Sequence, residues 1–123
     1  MLVGKKLDKE EESNFLVKNI KKEINKIKAK TLNSKIKNVL CIEWIEPIMT
    51  AGNWIPQLVQ FAGGKSILAK TGKNSNFVKL EDINFQEVDI VIFMPCGFDI
   101  NRSKKEIFKS CLLYTSDAAD DLR

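Results

Sequence analysis

Apolar residues fall into two kinds of run along this chain. From about Asp8 to Lys30 they recur at helical spacing: Leu16, Ile20, Ile24 and Ile27 form a stripe that Phe15 widens, while Lys and Glu fill the other face. The spacing predicts a one-sided helix more than about 30 Å long, for which the rest of the chain is a small packing partner. Asn33 and Ser34 break the pattern, and Val39 to Trp44 then forms a nearly continuous apolar run, the mark of a strand covered on both faces. Pro47 and Gly52 mark a loop. A helix is predicted from Trp54 to Ala62, with Asn53 as N-cap, Pro56 in the first turn, Ile55, Leu58, Val59 and Phe61 buried, and Gly63 as left-handed terminator. A polar stretch (Lys70 to Asn76), a short extended piece (Phe77 to Leu80) and a helical turn (Glu81 to Gln86) lead to a second buried strand, Val88 to Met94. The last helix runs from Asn101, as its cap, to about Lys109.

The order helix–β–α–(β)–α–β–α specifies an α/β fold, a Rossmann-like arrangement of parallel strands with flanking helices and right-handed crossovers. Both strands end in polar and aromatic loops. The first ends in Glu43-Trp44-Ile45-Glu46-Pro47, the second in Pro95-Cys96-Gly97-Phe98-Asp99. An open parallel sheet builds its ligand site outside the carboxyl ends of its strands, so these two loops form the candidate site.

Composition narrows the choice of chemistry. A chain of 123 residues is one domain by length, and 44% hydrophobic with 29% charged residues is ordinary for a globular protein. The net charge of +4 sits in the first segment, where residues 1–38 hold 11 Lys against 5 acidic residues. Those lysines surround a helix without interleaved aromatics, which reads as a solvated face and argues against nucleic acid as a partner. There is no histidine, so the commonest general base and metal ligand are missing. Cys41, Cys96 and Cys111 are widely spaced and form no metal motif, and Cys41 reads as a small core residue. No run approaches the ~20 apolar residues of a membrane span, and the N-terminus has no apolar signal-peptide core. Residues 111–123 read as a translated sequencing-library adapter, matched over Cys111 to Asp120, and are set aside as not native.

The block from Glu43 to Gly64, with Glu-Trp at a strand end, a proline, Ala51-Gly52-Asn53-Trp54-Ile55-Pro56 and a helix closed by Gly63-Gly64, resembles the second lobe of ABC-importer substrate-binding proteins. The subgroup it is similar to is the cobalamin-binding one of the cobalamin (vitamin B12)/iron-siderophore class. Met94-Pro95-Cys96-Gly97-Phe98 followed by Asp99 is similar to that group's second block, and Val78, Leu80, Glu81 and Asp82 stand where it has a strand and helix start. The likeness spans about residues 3–109. It implies two α/β lobes joined by a long rigid helix and clamped on a ligand. Residues 1–33 would then be the distal part of the connector and 34–110 the N-terminal portion of the second lobe. Met1 would be an internal methionine, and the piece alone is expected to be inactive, with an exposed apolar stripe prone to aggregation.

The resemblance implies no cofactor, no metal and no catalysis, with cobalamin, a related corrinoid or an iron chelate as transported ligand. The permease subunits of the importer would be its protein partner. The full-length parent would be a periplasmic or extracellular lipoprotein, although this stretch carries no signal and leaves a cytoplasmic location open. Trp44 and Trp54 either stack on a flat ring, each burying about 150–250 Å², or pack the lobe itself. Phe98 is the stacking contact of the second loop, Cys96-Gly97 a tight turn that brings backbone to the ligand, and Asp99 a further contact. Glu43 and Glu46 are either polar ligand contacts, permease-docking acids or solvated loop charges. Two rival readings stand beside transport: an intracellular corrinoid-sensing module, and a doubly wound enzyme. Against the enzyme, neither strand is followed by GxGxxG or GxxxxGK[ST], and the acid pair has no partner nucleophile.

Overall fold

The structure, a computed structural model, describes residues 2–110. The readings of Met1 and of the 111–123 tail lie outside the described residues. Two helices come first, α1 (Leu2–Lys6) and α2 (Glu10–Thr31). The helix that the spacing places from Asp8 therefore starts two residues later, behind a turn. Asp8 has φ of 52°, and the N–H groups of Lys9 and Asp8 donate to the carbonyls of Gly4 (2.8 Å) and Lys5 (3.4 Å). Those two bonds make a Schellman close, with Asp8 in the left-handed position that glycine more often fills. Gly4 is buried against Ser13, where a β-carbon would collide with that side chain.

Strand β1 (Asn38–Trp44) is the hub of the sheet. Its odd-numbered carbonyls serve one edge: Lys37 and Val39 accept from Lys65 and Ile67, and Cys41 accepts from Ala51. Strands β2 (Met49–Thr50) and β3 (Lys65–Ser66) thus share that edge, β2 antiparallel and β3 parallel. β4 (Asn76–Phe77) adds to β2, antiparallel. On the other edge β5 (Ile90–Phe93) runs parallel, in the register Val39↔Ile90 to Ile42↔Phe93. The parallel core is the one expected; the sheet also carries a short antiparallel flank that the sequence pattern does not reveal.

Helix α3 (Ile55–Phe61) lies on the face of Val39 and Cys41, burying Val59 with Ile55 beside it. Leu40 and Ile42 point the other way, into a core with Ile45, Ile83, Phe85, Val91, Phe93 and Ile107. Both faces of β1 are therefore covered, which explains its continuous apolar run. Ile107 comes from α4 (Ile100–Lys109), while Ile83 and Phe85 belong to two single 3₁₀ turns, Leu80–Asp82 and Phe85–Glu87, and their junction. On β5, Ile90 and Ile92 stay exposed on the α3 side. Leu58, expected inside, is also exposed.

Three local expectations need correction. Asn53 does not cap α3: it has φ of 55°, donates its N–H to the Lys73 carbonyl (2.6 Å) and accepts from Gly72 N–H (2.8 Å), leaving Trp54 at the cap. Asn101 does not cap α4; Asp99 does, accepting the Arg102 N–H at 2.7 Å from an extended backbone. The second strand is shorter than Val88 to Met94 by its flanks. Gly63, by contrast, closes α3 with φ of 81° and Gly64 N–H donating to Val59, as the sequence implies.

Helix α2 touches the sheet layer at its far end. The Lys28 ammonium lies 4.2 Å from the Phe61 ring centre, and Thr31 packs where Gly63 leaves no room for a side chain. Leu16, Ile20 and Ile27 remain 57%, 50% and 47% exposed. The stripe is formed but lies largely open among the described residues.

At the amino end of the sheet, Asp89 accepts the Asn38 N–H (2.7 Å) and faces the Lys37 ammonium (3.4 Å). These contacts, the backbone bond first, hold its carboxyl below the usual range. The unfolded chain binds that proton more tightly, so the stabilisation is complete above the ordinary carboxyl pKa of about 3.9 and is lost as pH falls through the lowered folded value. Urea titrations between pH 6 and pH 2 are expected to show the acid loss shrink in Asp89→Asn; an unchanged acid limb would remove Asp89 as its source.

Candidate functional site

Parallel pairing of β1 with β5 brings Trp44 and the loop after Phe93 to one carboxyl edge. Pro95 to Phe98 turns there, with Phe98 N–H donating to the Pro95 carbonyl (3.3 Å) and Gly97 at φ of 75°, the position where such a turn needs glycine. The turn sets Phe98 against Trp44, ring centres 5.6 Å apart and tilted by 57°. The indole N–H of Trp44 donates to the Glu46 carbonyl at 3.0 Å, which fixes the ring over its own loop. On Phe98 lies the Arg102 guanidinium, 3.7 Å from the ring centre. The result is a three-layer ladder of Trp44, Phe98 and Arg102 at the strand tips.

Beside the ladder is a hollow of about 230 Å³ lined by Trp44, Ile45, Glu46, Phe98, Glu106, Lys109 and Ser110. Glu106 pairs with Lys109 at 3.6 Å. The hollow is smaller than the roughly 300–1,000 Å³ of an enclosing ligand pocket, so this face is an open, shallow wall and not a closed chamber. Trp44, 39% exposed, supplies open aromatic surface on that wall.

The residues singled out from the sequence do not all meet. Trp44, Glu46 and Phe98 come together; Gly97 makes the turn; Cys96 and Asp99 flank it, both exposed. Asp99 spends its carboxylate on the start of α4. Glu43 is half-buried at the end of β1. Trp54 is 67% exposed and elsewhere: β2 carries the chain back along β1 until Ala51 lies opposite Cys41, before Trp54 is reached. No aromatic contact joins it to the Trp44–Phe98 pair among the described residues. Arg102 carries no motif of its own; the one sign of it in the sequence is its spacing from Phe98 across a helix start.

No hydroxyl or thiol at the tips is hydrogen-bonded to a carboxylate or amine among the described residues, and burial pushes the Cys41 thiol up, away from the reactive form. Among the described residues no group of three or more His, Cys, Asp and Glu gathers where it could hold a metal ion, and no helix is long and apolar enough to cross a membrane.

No family model and no curated protein matches the chain. Among solved structures it is similar to an ABC transporter substrate-binding protein from Listeria monocytogenes EGD-e, with a TM-score of 0.76 at 21% identity. The likeness covers 94% of this chain and 45% of that one. The chain therefore has the α/β fold of part of a binding protein and spans less than half of that neighbour's length.

Proposed function

We propose that this segment belongs to the substrate-binding component of an ABC importer, and that its strand-tip ladder is one wall of the ligand cleft. The observation that carries the reading is the Trp44–Phe98 pair, held at the carboxyl ends of two adjacent parallel strands in a fold shared with a transporter binding protein. The ligand class we assign is cobalamin, a related corrinoid or an iron chelate. A wall with one open indole and a shallow hollow suits a broad flat ring, and affinity comes from burying that ring against a second wall elsewhere in the full protein. Residues 1–33 serve as the connector to that wall, and 34–110 as the start of the second lobe. An α2 that meets the sheet layer near Lys28 and Thr31, with its stripe largely open among the described residues, supports this division.

Within the wall, Trp44 and Phe98 give the aromatic contact and the Cys96-Gly97 turn brings backbone close. Trp54 and Asp99 stand further back, Trp54 for its place at the start of α3 and Asp99 for its capping bond. Glu46, exposed at the tip, and the half-buried Glu43 beside it suit a basic patch on the permease. The role is binding and delivery, not catalysis, and the working place is outside the cytoplasmic membrane, with the parent held there as a lipoprotein.

The test is tryptophan fluorescence of the full-length protein carrying this segment, titrated with cyanocobalamin and with a ferric siderophore. We expect saturable quenching by one of the two and at least a tenfold weaker response in Trp44→Leu, about the loss of one stacked aromatic. Quenching by neither overturns the reading.

A further inference from the structure

We infer that Arg102 sets the charge of the ligand this wall accepts, selecting a flat ring or chelate with free carboxylates at its rim; the inference rests on the ligand reading above. The guanidinium lies 3.7 Å from the Phe98 centre, a stacking distance. A stacked guanidinium keeps its N–H donors in its own plane, directed past the edge of the ring beneath it. The plane is held, yet the donors are not spent: Arg102 makes no ion pair and no side-chain hydrogen bond among the described residues.

None of the surrounding acids is paired with it among the described residues. Asp99 is three residues away and exposed, but its carboxylate accepts the backbone N–H of Arg102 at 2.7 Å and the side chain is left alone. Glu106 is matched with Lys109 at 3.6 Å. Glu43 and Glu46, on the β1 tip, make no ion pair with it.

The stack also decides which aromatic faces a ligand. Arg102 covers one face of Phe98, and Trp44 packs on the ring from elsewhere, so the open surface belongs chiefly to Trp44. Phe98 touches both that indole and Arg102, so a ring broad enough to reach across Phe98 from the indole would bring its rim to Arg102. Rim carboxylates would meet a planar, pre-oriented pair of donors, the geometry that arginine matches and lysine does not. Rim amides would meet the same donors without the charge.

The full-length protein carrying this segment is titrated, by tryptophan quenching, with two probes that share one ring: a corrin with its peripheral carboxylates free, and the same corrin with them amidated. We expect the carboxylate form to bind about tenfold more tightly, as befits a charge-assisted pair over a neutral one. Arg102→Gln should weaken the carboxylate form more than the amide form and so remove that preference, whereas Arg102→Lys should keep part of it. Equal binding of the two probes by the unaltered protein overturns the inference and leaves the ligand reading standing. So does an Arg102→Gln protein that loses both equally, which would mark Arg102 as support for Phe98 only, or one that keeps the preference. Quenching by neither probe removes the corrin reading itself, and the inference with it.

Discussion

Leu40→Ala is expected to destabilise the chain by about 3 kcal/mol or more, the range for a large aliphatic side chain removed from a packed interior. Leu40 is 0% exposed and sits mid-strand on the hub of the sheet, with its register partner Val91 on β5. Its cluster draws on every layer of that side: Ile42 and Ile45 from the first strand and its tip, Ile83 and Phe85 from the 3₁₀ segment, Phe93 from β5 and Ile107 from α4. β5 is also fixed to β1 by its backbone ladder, so that strand cannot move in alone to close a cavity. Against a net stability of about 5–15 kcal/mol, the loss is a large fraction. Ile92→Ala provides the contrast. Ile92 lies one register step away on the opposite face and is 42% exposed, so its truncation should cost about 1 kcal/mol or less. Urea unfolding followed by far-UV circular dichroism reads both. Equal midpoints for the two variants would mean that the Leu40 face is not the core of this chain.

That two-faced strand is also where the sequence spoke most plainly. Val39 to Trp44 is apolar without alternation because α3 covers one side and the 3₁₀ segment with α4 covers the other. Pro56 and Gly63 bracket α3 for reasons that act within a few residues, and such local rules were legible. The misread caps show where local rules compete. Asn53 and Asn101 are both good capping types, but Asn53 is drawn into a left-handed bend by two bonds to the 70–73 loop, and Asp99 reaches a helix N–H first. Neither outcome is set by neighbouring residues alone.

The rest depended on long-range geometry. β2, β3 and β4 have two residues each, too short for any periodicity, and exist because β1 offers an open edge. Thr50 is fully buried as a polar residue, with its hydroxyl between the carbonyls of Leu68 (3.2 Å) and Asn76 (3.3 Å), and no local pattern marks it. Of the candidate site, the two loops were readable as strand ends, and the meeting of Trp44 with Phe98 follows once β1 and β5 are parallel neighbours. Trp54 stands apart for a matching reason: the reversal through β2 separates two tryptophans that are only a short loop apart in sequence. Arg102 escaped notice because its contact runs across a turn and a cap.

The reversal itself turns on Gly52, and Gly52→Ala is expected to cost about 3 kcal/mol, from forced backbone displacement and the bonds lost with it. A β-carbon there would sit 2.5 Å from the Asn74 carbonyl carbon and 2.6 Å from the Lys73 oxygen, and would strike the Ser75 backbone nitrogen. These are main-chain atoms, so no side chain can swing aside; the 73–75 loop has to move. That loop is held to the reversal by three bonds, Gly52 N–H to Ser75 Oγ (3.0 Å), Asn53 N–H to Lys73 (2.6 Å) and Gly72 N–H to Asn53 (2.8 Å). Displacing it loosens all three together and frees the entry to α3. Gly72→Ala separates this from glycine loss in general. Gly72 has φ of 73° but nothing within 4 Å of a new β-carbon, so only left-handed strain of about 1–2 kcal/mol remains. Trypsin adds a local readout, since Lys70 and Lys73 lie in the loop: cleavage there should accelerate more in Gly52→Ala than in Gly72→Ala when both are compared at equal urea distance from their midpoints. Trp44 and Phe98 are held by β1 and β5 and not by this loop, so their ring contact should survive in the folded fraction of Gly52→Ala. Matching cleavage in the two variants would show that the loop is not pinned by its approach to Gly52.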